Sequence, residues 1–413
     1  MFRKIAKDKY FCGVDVGAQS IKVGLIKSRD NGTYQLLGVY QHNTFGYKDG
    51  CVSDLSDFAG CVSEAVRQLS QKVGGKVKEI VLGIDGQWVD ARLAQTMIPL
   101  LDKGSRVITL RDMKKVNQQA RILGIKMEEE SLHDIPHIYQ IDDVNTAINP
   151  LGLYGRKLGV QTLMLVVNSN KVRNITKVVH EAGFDISQVV LSSYAASEVT
   201  LDAEQKSKGT VLIDMGAQTT CILLFKDKGL KYFDKIPMGG DYFTQKIAEQ
   251  IHVPFDLAEQ IKRSYAVAVH AENYAKEEIL IKKDNHYVPI KRELVIGAIE
   301  PAIQQLMETL GQKLNKSGLF DPFKNEIRLI GGGALLPGLM ERLVDSTRCS
   351  VDLGKIHIDQ EKRINNAALF ASAVGLALIG YSRSKPGVLL SQGKEQLKEF
   401  VSRRARELYQ EYF

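Results

Sequence analysis

Apolar residues recur through residues 54–73 at Leu55, Phe58, Ala59, Val62, Val66 and Leu69, the three-and-four spacing that gathers them on one stripe of a helix. Ahead of this helix, residues 10–40 predict three short strands. The first break falls at Gly17–Gln19 and the second at Asp30-Asn31-Gly32, where Asn-Gly is a hairpin signal. Behind it, EIVLGID (Glu79–Asp85) is an apolar run of buried-strand length, so the opening segment reads as a mixed α/β layer. From Gln87 to Val167 the texture changes. Alternating strands at Ala91–Pro99, His137–Asp142 and Leu158–Val167 surround one amphipathic helix near Leu110–Leu123, the pattern of a small inserted α+β unit.

The second half repeats the first in kind. Strands are predicted at Thr210–Asp214, Cys221–Phe225 and Leu230–Ile236, followed by helical patterns at 240–251, 255–268 and 291–316. EIRLIGGGALLPGL then gives a buried strand, three glycines and a helix start, and a small-residue helix from Asn365 to Tyr381 closes the globular part. Ser, Arg, Lys, Pro and Gly residues follow as a tether, and a charged helix ends the chain.

With 413 residues, of which 44% are apolar, the chain can bury two sizeable cores. Its net charge of +7 is spread out, with slight basic excess at Arg3, Lys4, Lys7 and Lys9 and at Arg403, Arg404 and Arg406, which disfavours nucleic acid as a partner. Five scattered cysteines form no CxxC pair, so neither a metal centre built on thiolates nor a disulfide framework is expected. The charged N-terminus leads straight into a strand, with no signal-like apolar region and no later run read as a membrane span. A reducing cytoplasm is the expected compartment.

The candidate chemistry lies in a doubled signature, DVGAQSIKVGLI at Asp15–Ile26 and DMGAQTTCILLF at Asp214–Phe225. A strand turn carrying Gly and hydroxyl residues can present backbone N–H groups to an anion, because Gly removes the Cβ that would block close approach. The carboxylates of Asp15 and Asp214 suit a magnesium ion held through water, and Lys22 reaches the same phosphates as a point charge. Two such turns facing one another would grip a nucleoside triphosphate from both sides.

These motifs resemble those of the actin-like ATPases, the superfamily of seventy-kilodalton heat-shock chaperones and sugar kinases. Five elements match in order: the two phosphate loops, the connecting segment SSYAASEV (Ser192–Val199), the helix AEQIKRSYA (Ala258–Ala266) and the adenosine motif GGGALLPGL (Gly331–Leu339). The resemblance implies an actin-like fold of two RNase H-like α/β halves. It also implies ATP and Mg²⁺ as cofactors, bound in the first loop by Asp15, Gly17, Ala18, Gln19, Ser20 and Lys22. The second loop adds Asp214, Gly216, Ala217, Gln218, Thr219 and Thr220, with Gly239 and Gly240 after it. The nucleoside side falls to Glu259, Lys262, Arg263, Gly331, Gly332, Gly333 and Leu336. Sugar-kinase chemistry would need an Asp base in a second pocket, and none can be singled out.

INPLGLYGRKLGVQTLMLV (Ile148–Val166), IPMGGDYFTQKIAEQI (Ile236–Ile251) and the insertion itself resemble the FtsA family of bacterial cell-division proteins over essentially the whole chain. That resemblance implies residues 1–84 as the first half, 85–167 as an inserted SHS2-type subdomain and 168–200 completing the first half. It further implies 201–381 as the second half, 382–393 as a tether and 394–413 as an amphipathic membrane-targeting helix. The implied role is a filament-forming adaptor on the inner face of the cell membrane at the division site. Its partners would be copies of itself head to tail, the C-terminal tail of FtsZ, anionic lipid and other division proteins. Ala217 and Gln218 stand where the family loop has glycines, and Cys221 where it has a closing Asp, which leaves binding intact and makes hydrolysis slow or absent. Asp-x-Gly-Ala loops also occur in the pilus-assembly relative PilM, the alternative reading. The last residues favour FtsA: Leu397, Phe400, Val401, Leu408 and Tyr412 form a stripe with Arg404 snorkelling and Phe413 at the end, as a reversible membrane anchor needs.

Overall fold

Each half of the chain folds around a five-stranded sheet of the same topology in the computed structural model, which describes residues 9–29, 33–48, 50–101, 104–143, 145–268, 277–283, 286–358 and 364–384. In the first half Tyr10–Val16, Ser20–Ser28 and Tyr34–Asn43 form an antiparallel meander, and Glu79–Ile84 and Asp185–Leu191 add in parallel beside Tyr10–Val16. In the second, Thr210–Met215, Thr220–Lys226 and Gly229–Ile236 form the meander, and Glu326–Ile330 and Ser350–Leu353 complete it in the same way. The chain has written one α/β unit twice. Both repeated Asp-x-Gly-Ala-Gln stretches sit at the same place, the tip of the first hairpin. The Asp30–Gly32 turn and everything after Ser384, including the expected membrane residues from Leu397 to Phe413, lie outside the described residues.

Between Glu79–Ile84 and Asp185–Leu191 the chain builds a four-stranded antiparallel sheet, ordered Asn145–Ala147, Glu129–Ile141, Lys157–Asn168 and Val89–Pro99. Helix Leu110–Gly124 covers it, burying Val116 and Ala120 against Ile98, Tyr139, Leu158 and Val160. The helix begins at a capping box in which Thr109 and Asp112 satisfy each other's backbone N–H groups. Arg106 then clamps Asp112 with two hydrogen bonds, at 2.7 and 2.6 Å, and holds that carboxyl below its ordinary range.

One strand is longer than its sequence pattern predicts. The run starts at Glu129 rather than His137, because its charged residues are paired by neighbours: Glu129 by Arg92 at 2.7 Å and Asp134 by Arg121 at 3.5 Å. His133 is buried and accepts the Leu191 N–H at 3.1 Å, with burial lowering its pKa to about 4, so it works as a neutral core residue. The helix expected over 255–268 stops at Tyr265, and the closing helix runs from Ala367 to Ser384. Helix Ser169–Glu181 and the hairpin of Glu278–Lys283 with His286–Lys291 have no counterpart among the expected elements, although Val172, Ile175, Val178 and Val179 stand at helical spacing and are buried.

The closing helix explains its own composition. It lies on the first sheet so closely that a Cβ on Gly13 would sit 2.2 Å from the Ala373 carbonyl oxygen, and one on Gly375 would sit 1.9 Å from that of Ala195. By length and composition this helix qualifies to cross a bilayer, unlike any run read from the sequence pattern, but half of its apolar window is buried inside the protein. Its first turn also accepts the Gly331 N–H at the Ala368 carbonyl, 3.0 Å, which links the first-half sheet to the glycine turn of the second.

Two helical glycines therefore make a paired prediction. Gly375→Ala destabilises the protein by about 1–3 kcal/mol or more, because the new methyl meets backbone that cannot yield. Gly297→Ala, within Arg292–Lys316 and with nothing inside 4 Å of its Cβ, stabilises it by roughly 0.5–1 kcal/mol. Denaturant unfolding of both variants checks this, and equal effects would contradict the packing account.

Candidate functional site

In both hairpins an acidic residue near the end of the first strand is followed by a tight turn. Asp15 pairs in register with Lys22, and Asp214 with Cys221. The Gly17 N–H donates to the Ser20 carbonyl at 3.2 Å, and the Gly216 N–H to the Thr219 carbonyl at 2.9 Å, so the two turns close identically. They line opposite sides of one cleft of about 420 Å³, a volume suited to a small molecule.

Most of the sequence-predicted residues come together there. Asp15, Gly17, Ala18, Gln19, Ser20 and Lys22 line it from the first half. Asp214, Gly216, Ala217, Thr219, Gly240, Glu259, Lys262, Arg263, Gly331, Gly332, Gly333 and Leu336 line it from the second. Gln218, Thr220 and Gly239 lie outside the lining. Gln218 stands in the bend of the tight turn, between Ala217 and Thr219. Thr220 is buried and donates its hydroxyl to the Met238 carbonyl at 2.7 Å. Gly239 packs beneath the turn, where a Cβ would lie 2.5 Å from the Ala217 carbonyl oxygen.

Three carboxylates converge on the floor. Asp15 accepts a hydrogen bond from the Ser192 hydroxyl at 2.7 Å and lies 3.7 Å from the Lys22 ammonium. Asp214 is desolvated and feels the charge of Asp15, which together raise its pKa to about 7. Asp85 ends the strand Glu79–Ile84, accepts the Gln87 N–H at 2.8 Å, and is raised to about 6, first by burial and then by Asp15. Cys221 beside them is a buried thiol pushed far above its ordinary range, and therefore neutral. Among the described residues no three metal-ligating side chains gather closely enough to chelate an ion directly, so a cation here would keep water between itself and the carboxylates.

The opposite wall is an ion-pair cluster. Glu259 meets Lys262 at 2.6 Å and Arg263 at 2.7 Å, and Lys262 also donates to the Gly240 carbonyl and the Thr244 hydroxyl, each at 2.8 Å. Arg263 reaches over the cleft to the Gln19 side-chain oxygen at 3.2 Å, while the Gln19 amide donates to Asp241. Gln19 thus bridges the halves at the mouth. Gly331 has φ +90° and no room for a Cβ, which would sit 2.4 Å from the Met215 carbonyl oxygen and 2.7 Å from an Asp214 oxygen.

Sequence reasoning missed Asp85, Ser192 and Asn366 in the lining. Ser192 opens the quoted connecting segment. Asp85 carried a readable signal: like Asp15 and Asp214 it is an acid at the end of an apolar central strand.

Comparison with known proteins accords with this architecture. The family model for cell division protein FtsA matches residues 211–375, and the model for the SHS2 domain inserted in FtsA matches residues 86–166. The cell division protein FtsA of Streptococcus pneumoniae is 27% identical over 375 residues, covering 90% of this chain and 80% of that protein. Among solved structures, the PilM-PilN type IV pilus biogenesis complex superposes with a TM-score of 0.66 at 19% identity, over 91% of this chain and 99% of that one. MreB5 of Spiroplasma citri bound to ADP gives 0.53 at 10%, over 95% and 98%. These structures share an actin-like ATPase fold with this chain, whose own insertion is the part that the SHS2 model matches. With the FtsA domain and its inserted SHS2 domain both matched and a namesake relative aligned along most of its length, the chain belongs to the FtsA family of cell-division proteins.

Proposed function

We propose that this division protein binds ATP with Mg²⁺ in the cleft, assembles head to tail, and ties the C-terminal tail of FtsZ to the inner face of the cytoplasmic membrane. The observation that carries the nucleotide reading is the meeting of two equivalent Asp-x-Gly-Ala-Gln turns, one from each half, across a single cleft. The donor set fits: N–H groups and hydroxyls at both turns for phosphate oxygens, Lys22 for their charge, and Asp15 and Asp214 for a hydrated magnesium ion. The cluster of Glu259, Lys262 and Arg263 serves the nucleoside, as does the glycine turn Gly331–Gly333 with Leu336, whose backbone lies tight against Met215 at the edge of the cleft. Magnesium supplies the positive charge that three converging carboxylates lack.

The adaptor part of the reading rests on family membership and on the sequence of residues 394–413. In an isolated helix of that length only burial of one face supplies stability, and Leu397, Phe400, Val401, Leu408 and Tyr412 form such a face. Burying each large side chain gains about 1.5–3 kcal/mol before ordering costs, so one copy binds weakly and a filament of many copies binds firmly. A role in pilus assembly is the second reading, favoured by the superposition on the PilM-PilN complex.

Three outcomes follow from this reading. Asp214→Ala weakens Mg-ATP binding by about tenfold or more in calorimetry while circular dichroism stays unchanged, since a charge-assisted, water-mediated contact is worth roughly 1.5–3 kcal/mol; equal affinity would refute the assignment. The second outcome concerns pH in the ligand-free protein. The folded state raises Asp214 from 3.8 to about 7, so its favourable contribution is complete below pH 3.8 and is lost as pH rises through 7. Asp214→Asn escapes that loss, and its stability relative to wild type therefore climbs by roughly 1–3 kcal/mol between pH 5 and pH 8 in denaturant unfolding; a constant difference would contradict the electrostatic account. Finally, Phe400→Glu with Leu408→Glu abolishes sedimentation with anionic liposomes and leaves ATP binding intact, whereas equal pelleting of variant and wild type would remove the tail from the anchor role.

A further inference from the structure

Asp85 belongs to no motif that marks the cleft, yet it stands at the floor between the two turns. Its strand, Glu79–Ile84, runs parallel to Tyr10–Val16, which places Asp85 beside Asp15 at the same end of the sheet. One carboxylate oxygen accepts the Gln87 N–H, and the other has no hydrogen bond from protein among the described residues. The short turn that follows, Gly86–Trp88, is held from the other half. Lys235 donates to the carbonyls of Gln87 at 2.8 Å and Val89 at 2.9 Å and pairs with Asp90 at 3.0 Å. Gly86 itself lies against the Cys221 thiol, with room for no Cβ, since one would meet the sulfur at 2.2 Å. Asp85 is therefore fixed next to the residue that pairs with Asp214, on a turn clamped across the cleft.

The other acids of the cleft are committed. Asp15 is engaged by Ser192 and Lys22, Glu259 by Lys262, Arg263 and Thr244, and Asp241 by Gln19. Asp214 lies against Gly331, on the side assigned to the metal and nucleoside, and Cys221 is a neutral thiol that accepts protons poorly. We propose that Asp85 is the residue that orients and deprotonates the attacking water when the terminal phosphate of a nucleoside triphosphate is hydrolysed in this cleft. This rests on the nucleotide reading of the same site and adds the reaction and its base.

In that step the water oxygen bonds to the terminal phosphorus while the bond from phosphorus to the bridging oxygen breaks. The diphosphate leaves with the bonding pair, one water proton passes to the Asp85 carboxylate, and the other stays on the released phosphate. The groups around Asp85 suit a proton acceptor. Burial and then Asp15 strengthen it as a base, Lys22 and Lys235 favour its ionised form, and Tyr47 and Cys221 remain neutral near it. A purely structural Asp85 would only cap the Gly86–Trp88 turn, a duty that asparagine's side-chain oxygen performs equally well.

The test uses the full chain with Mg²⁺ and compares wild type, Asp85→Asn and Asp85→Glu. Three quantities are measured: affinity for a non-hydrolysable ATP analogue, affinity for ADP with aluminium fluoride as a mimic of the transferring phosphate, and single-turnover phosphate release. The expected result is that Asp85→Asn binds the analogue within about twofold of wild type. It should lose about tenfold or more in affinity for the fluoride complex and about a hundredfold in release, with partial recovery in Asp85→Glu. Wild-type behaviour of Asp85→Asn in the fluoride complex and in release overturns the proposal. So does tenfold weaker binding of the ATP analogue by Asp85→Asn, which marks a role for its charge in holding the ground-state ligand rather than in the attack. Wild type that binds the analogue but releases no phosphate overturns this proposal alone, whereas wild type that binds no triphosphate overturns the nucleotide reading beneath it.

Discussion

Three carboxylates, Asp15, Asp85 and Asp214, arrive at one cleft from the ends of parallel central strands, and their mutual repulsion in a partly dehydrated space is the constraint around which the site is arranged. An isolated protein does not gather like charges to stabilise itself. Lys22, 3.7 Å from Asp15, and Lys235 offset them in part, and burial together with the charge of Asp15 still leaves Asp85 and Asp214 with raised pKa values. Buried carboxylates with raised pKa values gathered in one cleft are a mark of a ligand-binding site.

The fold serves this convergence by duplication. Two sheets of the same topology each offer a hairpin tip and the ends of central strands, so a single cleft receives matched turns and acids from both sides. The closing helix joins them. Its small residues let it lie against Gly13 and Gly24 of the first sheet, while its first turn accepts the N–H of Gly331 from the second. Lys235 and Gln19 add the remaining ties across the cleft, one at its floor and one at its mouth. Movement of one half against the other must therefore be felt at Asp85 and at the two hairpin turns together.

Much of this was legible in the sequence because the informative patterns are local. The hairpin tips announce themselves through Gly17 and Gly216, and the small-residue helix through its repeated Ala and Gly. What stayed hidden depends on distant partners. The strand from Glu129 looks too charged until Arg92 and Arg121 are seen to pair its acids, and His133 gives no hint that its ring accepts the Leu191 N–H. Gln218 reads like a ligand beside Thr219, yet it lies outside the lining of the cleft. Asp85 lies in plain view after an apolar run, and only the parallel pairing of its strand with Tyr10–Val16 shows that it stands beside Asp15.

The central claim is that one ligand engages both halves at once. Hydrogen–deuterium exchange of the full chain with and without Mg-ATP tests it most directly, because each turn is read by its own peptides. The account predicts slower exchange on nucleotide addition in residues 15–22 and in residues 214–221 together, rising with the same concentration dependence. Protection confined to one of the two turns, or absent from both at saturating nucleotide, would contradict it.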